Sequence, residues 1–143
     1  MVTEAPRVGP PPAPRKGAGR LFAWVLLATL ALDAVTALHS RGPLIVLEQG
    51  YAGRLAIGLG AGFGGMRLIR RFFPALGATW SGMMAATFLT DAVYILTGRA
   101  VVDHNGPGIV YVQVITTAVI GIVAPAAGAL ACLSLERLAA RRG

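Results

Sequence analysis

Eighteen consecutive residues, Leu21 to Leu38 (LFAWVLLATLALDAVTAL), carry a single charge between them, that of Asp33. As a helix this run rises about 27 Å, close to the ~30 Å thickness of a bilayer's hydrocarbon core. In hydrocarbon every backbone N–H and C=O must be satisfied within the segment, which leaves the helix as the natural form for such a run. No other feature of the chain narrows its fold as much.

Three further stretches follow the same logic. The second is less tidy: PLIVL is followed by Glu48, Gln49 and Arg54, and the clean run Leu55 to Met66 is too short to span alone. The span is therefore expected over 51–66, with Arg54 snorkelling to the interface and Arg67, Arg70 and Arg71 closing it. The third covers 76–97, beginning after Pro74, and the fourth 109–135, with Pro125 expected to kink it. The first occupies 21–39. These predict an all-α integral membrane protein, with four transmembrane helices bundled over 21–135. Composition agrees, because only 13% of residues are charged where a soluble domain carries about a quarter.

Residues 1–20 are rich in Pro, Gly and Arg and have almost nothing to bury, so they read as a disordered basic cytoplasmic tail. Residues 136–143 read as a second basic tail. A cleaved signal peptide fits poorly, since Asp33 interrupts the apolar run, the n-region would be long and no A-x-A site follows.

The arginines orient the bundle. With four spans, one side holds Arg7, Arg15, Lys16, Arg20, Arg67, Arg70, Arg71, Arg137, Arg141 and Arg142, and the other only Arg41, Arg54 and Arg99. Ten against three places both termini in the cytoplasm by the positive-inside rule. The expected location is the plasma membrane of a bacterium. The net charge of +7 then reflects topology and contact with the anionic lipid bilayer, and no nucleic acid partner is expected.

Sliding the chain by 58 residues aligns ATLALDAVTALHSR (28–41) with ATFLTDAVYILTGR (86–99), and seven of the fourteen positions match. Asp33 matches Asp91 and Arg41 matches Arg99. Two spans per unit predict a tandem 2+2 parallel repeat about an axis near the membrane normal.

An aspartate inside an apolar helix should face the bundle interior and find a partner. Helical spacing puts Thr29, Asp33, Thr36 and Ser40 on one face of the first helix, and Thr87, Asp91 and Tyr94 on one face of the third. The fourth helix adds Gln113, Thr116 and Thr117. This polar intramembrane cluster is expected either to line an ion or substrate path or to lock helices together. In the latter case each Asp is hydrogen-bonded to Thr or paired with Arg: at least one is expected to bond mainly to Thr29, Thr36, Thr87 or Tyr94, although Arg54 of the second helix could come closer. Arg41, Glu48, Arg54, Arg99 and Asp103 form a second, charged cluster at the outer face.

Catalytic, metal and cofactor chemistry find no support in the sequence. The single Cys132 excludes a thiolate zinc site or a disulfide within the chain. His39 and His104 stand singly at helix ends, without ligand spacing. No Gly-x-Gly-Asp motif accompanies the aspartates, which argues against an intramembrane protease, and no nucleophile elbow occurs.

Small residues instead recur at intervals of four: Gly58/Gly62, Gly60/Gly64 and Ala61/Gly65 in the second helix; Gly77/Ser81/Ala85 and Ala78/Gly82/Ala86 in the third; Ala124/Gly128 and Ala127/Ala131 in the fourth. Such seams let helix backbones approach closely in lipid. The chain is accordingly expected to be a non-catalytic accessory or scaffolding subunit, a homo-oligomer or part of a larger membrane complex. The alternatives are a small dimeric ion channel or transporter with Asp33 and Asp91 near the path, and a lipid-modifying or lipid-binding membrane protein.

Overall fold

The computed structural model describes the backbone of residues 16–39, 43–97 and 108–141, with the side chains of 17–38, 50–97 and 111–141. These residues form four helices: α1 (Lys16–His39), α2 (Pro43–Ile69), α3 (Phe72–Leu96) and α4 (Gly108–Ala140). Two of them, α1 over Gly17–Leu38 and α4 over Tyr111–Ala140, are long and apolar enough to cross a membrane.

Each helix extends beyond the limits read from hydropathy. α1 starts at Lys16, so the last residues of the expected tail are helical, and α4 continues to Ala140 through most of the expected C-terminal tail. α2 starts at Pro43, ahead of Tyr51. Helix propagation depends on backbone geometry and needs no apolar side chains, so charged residues extend a helix past its apolar segment. α3 starts at Phe72, with Pro74 in its first turn, where a missing N–H costs no intrahelical bond. α4 runs unbroken through Pro125.

Only Arg70 and Arg71 separate α2 from α3. Arg70 adopts a left-handed conformation (φ 53°), and its N–H donates to the Met66 carbonyl at 2.8 Å, closing α2. Arg71 is extended and launches α3. This turn lies beside the start of α1, since Gly17 approaches Leu68 and Ile69. It also lies beside the last turns of α4, because Arg70 and Glu136 line one shallow cavity with Met66 and Leu133. Exposed arginines 20, 67, 70, 71, 137 and 141 therefore gather at one end of the bundle.

α2 and α3 each touch every other helix, whereas α1 and α4 do not meet. The tightest seam joins α2 to α4. A β-carbon on Gly62 would overlap the Pro125 main chain, one on Gly128 would overlap the Leu59 carbonyl, and one on Gly58 would stand 2.7 Å from the Ala124 Cβ. Gly82 of α3 meets α1 similarly, since a β-carbon there would stand 2.9 Å from the Phe22 carbonyl oxygen, and Gly65 of α2 meets Leu21 and Ala75. The other expected seams do not close within the chain: Gly60, Gly64, Gly77, Ser81, Ala127 and Ala131 are all exposed.

The apolar interior lies toward the arginine end. One cluster is Leu21, Val25, Ala75 and Met83, and the other is Met66, Ala129 and Cys132. The outer surface is apolar as well, with Trp24, Leu38, Phe73 and Leu96 between 70% and 85% exposed. Large apolar side chains face outward while Thr29, Thr79, Thr87 and Thr117 are wholly buried, the reverse of a water-soluble bundle.

Candidate functional site: a buried polar junction of four helices

In the half of the bundle away from the arginine end, one residue from each helix enters a single hydrogen-bonded junction. Arg54 of α2 stands at its centre and is 2% exposed. Its Nη2 donates to both carboxylate oxygens of Asp33 on α1, at 2.8 and 3.0 Å. Its Nη1 donates to the Thr117 hydroxyl on α4 at 2.7 Å. The Thr90 hydroxyl on α3 donates to Asp33 Oδ2 at 2.9 Å. The pair is desolvated on both sides, with side-chain exposures of 3% for Arg54 and 9% for Asp33.

The helices bring these groups together through the small residues beneath them. Gly53 lies under Leu32, so α1 and α2 approach closely beside Asp33 and Arg54. One turn further along α2, the Gly58–Ala124 contact draws α4 in, which sets Thr117 within reach of the guanidinium. On α3, Thr87, Thr90 and Tyr94 follow one another at three- and four-residue steps, the spacing of one helix face.

Arg54 does not snorkel to an exposed surface, since its side chain is buried within the bundle. An arginine immediately before a clean apolar run resembles an interface anchor in sequence, but the helix starts at Pro43 and carries Arg54 well inside it. Once inside, the guanidinium needs an anion, and Asp33 supplies it.

The expected threonine partners are also corrected. Thr29 donates to the Val25 carbonyl at 2.8 Å, Thr36 to the Leu32 carbonyl at 2.6 Å and Thr87 to the Met83 carbonyl at 3.0 Å. Each satisfies the carbonyl one turn back on its own helix, a local option always open to a helical threonine. Asp33 takes Arg54 and Thr90 instead. Gln113 and Thr116 are half-buried on α4, where the junction uses Thr117. Tyr94 is half-buried on α3. Arg41, Arg99, Asp103 and the Glu48 side chain lie outside the described residues.

Asp91 is brought to the same region. It is 5% exposed, and the charges of Arg54 and Asp33 both act on it. Its Oδ2 is buried without a hydrogen-bond partner among the described residues, as are Arg54 Nε and the Tyr51 hydroxyl. Thr90 and Tyr51 were not singled out from the sequence. Helical spacing was the available signal, since Thr90 lies between Thr87 and Tyr94 on one face and Tyr51 stands three residues before Arg54.

A guanidinium holding a carboxylate and a hydroxyl can crosslink helices, exchange partners or carry charge. Among the described residues, no group of three or more His, Cys, Asp or Glu side chains is placed to share a metal ion. No protein-family model matches the chain, and neither a curated protein nor a solved structure is detectably similar to it.

Proposed function

We propose that the chain is a small polytopic membrane protein serving as a non-catalytic accessory or scaffolding subunit of a membrane complex. The observation carrying this reading is the Arg54–Asp33–Thr90–Thr117 junction, which spends the strongest polar groups of four helices on one another. In lipid, where apolar burial does not drive helices together, close packing and interhelical polar contacts hold a bundle. The outward-facing apolar side chains support the membrane setting.

The reading includes four spans with both termini cytoplasmic. The burial of Arg54 strengthens the charge argument, since only Arg41 and Arg99 then remain to oppose the ten basic residues of the other side. A bacterial plasma membrane remains the proposed location. The parallel repeat is supported by Thr29 and Thr87, equivalent positions that both bond back to their own helices. It is an approximate symmetry at best, since α2 touches α3 while their counterparts α4 and α1 do not touch.

For partners, the exposed stripe Ala52, Ala56, Gly60 and Gly64 on α2 suits a close helix contact, with a second copy or with a larger subunit. Purification in mild detergent tests the reading. Co-purification of larger membrane subunits supports it, whereas a stable homo-oligomer that passes ions in liposomes replaces it with the second reading. That reading is a small dimeric channel or transporter with Asp33 and Asp91 near the path, and the unpartnered Asp91 Oδ2 favours it.

A further inference from the structure

The ion pair leaves one charge over. When Asp33, Arg54 and Asp91 are all ionised they sum to a single negative charge, and it falls in a region where Asp91 is 5% exposed. Three buried polar atoms have no hydrogen-bond partner among the described residues: the acceptor Asp91 Oδ2, the donor Arg54 Nε–H and, one turn of α2 before Arg54, the Tyr51 hydroxyl. Such atoms are costly in an apolar interior and are rare in native structures unless something else satisfies them. The guanidinium shows where the freedom lies. It grips Asp33 through Nη2 alone, leaving the Nε edge unused, unlike the two-nitrogen fork by which arginine commonly holds a carboxylate.

We propose that Asp91 is a reversible proton-binding site, and that its ionisation draws the Arg54 guanidinium from Asp33 toward Asp91. With the proton on Asp91, the carboxyl is neutral and Arg54 belongs wholly to Asp33, the arrangement described here. Without it, two carboxylates compete for one guanidinium, and the unused Nε–H is the donor available to the second. The proton comes from water and returns to water, and no other covalent bond is made or broken. The exchange slackens the α1–α2 crosslink and forms an α2–α3 crosslink, so proton occupancy selects which pair of helices is tied.

Among the described residues, the charges that act on Asp91 are those of Asp33 and Arg54. α1 offers Asp33, and α2 offers Arg54 and Tyr51. The polar side chains described on this stretch of α4 are the neutral Gln113, Thr116 and Thr117, while its Tyr111 is 68% exposed. On α3 itself the nearest titratable side chain is Tyr94. Glu136, Arg137 and Arg141 lie about five to seven turns further along the chain from Thr117. A proton fits this setting better than a metal cation, because the Thr87 hydroxyl, one turn from Asp91, is already directed at the Met83 carbonyl.

This inference holds whether the chain serves a complex or conducts ions, so its test is independent of either role. Full-length protein in lipid nanodiscs is examined by infrared difference spectroscopy across pH, as wild type, Asp91→Asn and Asp33→Asn. A protonated-carboxyl C=O band is expected in wild type, vanishing as pH rises, displaced to lower pH in Asp33→Asn, where Arg54 is left to Asp91 alone, and missing from Asp91→Asn. The guanidinium vibrations of isotope-labelled arginine should shift with the same midpoint in wild type and become independent of pH in Asp91→Asn. A band that survives in Asp91→Asn overturns the proposal. So does a guanidinium signal that ignores the Asp91 titration, or one that follows sodium concentration at fixed pH. Should Asp91→Asn fail to fold, Asp91→Glu must move the midpoint of both signals, and unchanged midpoints refute the assignment.

Discussion

Gly62 of α2 lies so close to the main chain of Pro125 on α4 that no β-carbon fits between them. Gly128 returns the contact, meeting the Leu59 carbonyl of α2, so each helix supplies a glycine to the other's backbone. Replacing Gly62 by Val should push α4 away and destabilise the bundle by about 1–3 kcal/mol, the usual range for an overpacked interior. Gly60→Val, on the open face of the same helix, should leave the melting temperature of the monomeric chain unchanged. Thermal denaturation of both variants in detergent measures the contrast.

Removing the guanidinium while keeping its anion should be the most damaging single change. Arg54→Met leaves Asp33 buried with Thr90 alone, and losing one partner of a buried pair costs about 3–5 kcal/mol. The double variant Arg54→Met, Asp33→Leu should recover most of that loss, because an apolar pair of similar volume replaces the ion pair. Chemical denaturation of the three proteins reads this directly. A double variant no better than Arg54→Met would show that the junction does not couple these residues.

The threonines should divide by what their hydroxyls touch. Thr90→Val removes a donor to Asp33 and Thr117→Val removes an acceptor for Arg54, at about 1.5–3 kcal/mol each for hydrogen bonds to charged groups. Thr29→Val and Thr87→Val delete only bonds to carbonyls of their own helices and should cost under about 1 kcal/mol. Equal losses at all four positions would contradict the network.

How far the sequence could be read follows the same division. The existence of four helices was legible because apolar runs of that length have few alternatives. Asp33 and Asp91 stood out because carboxylates are rare in such runs. The α2–α4 seam was visible in the spacing of Gly58, Gly62, Ala124 and Gly128. Which of the candidate seams on each helix would close was not visible, because that depends on helix rotation, a property of the assembled bundle. Partner choice inside the junction was hidden for a different reason. Periodicity places Thr29, Asp33 and Thr36 on one face, but side chains stacked on one helix compete with the carbonyls beneath them, and there the carbonyls win. The decisive bonds run between helices, from Arg54, whose neighbours Glu48 and Gln49 made it look like the edge of a span.

Topology can be checked with single cysteines. Cys132 is 1% exposed, so it contributes little background to labelling and can be replaced by Ala. Cysteines at Pro10 and Gly106 should react with membrane-impermeant maleimides from opposite sides. Labelling of both from outside the cell would overturn the proposed topology.

The buried arginine also bears on the order of events at synthesis. α2 carries a cation whose counter-ion belongs to the helix made before it, so α2 on its own is a poor candidate for insertion, while α1 and α2 together neutralise Arg54 with Asp33. On the membrane reading, the ribosome delivers the anion first and the cation follows into a place prepared for it. An Asp33→Leu chain should then stall or invert at its second helix during translocon-mediated insertion. The same ion pair that ties the finished bundle would act earlier, as a checkpoint in its biogenesis.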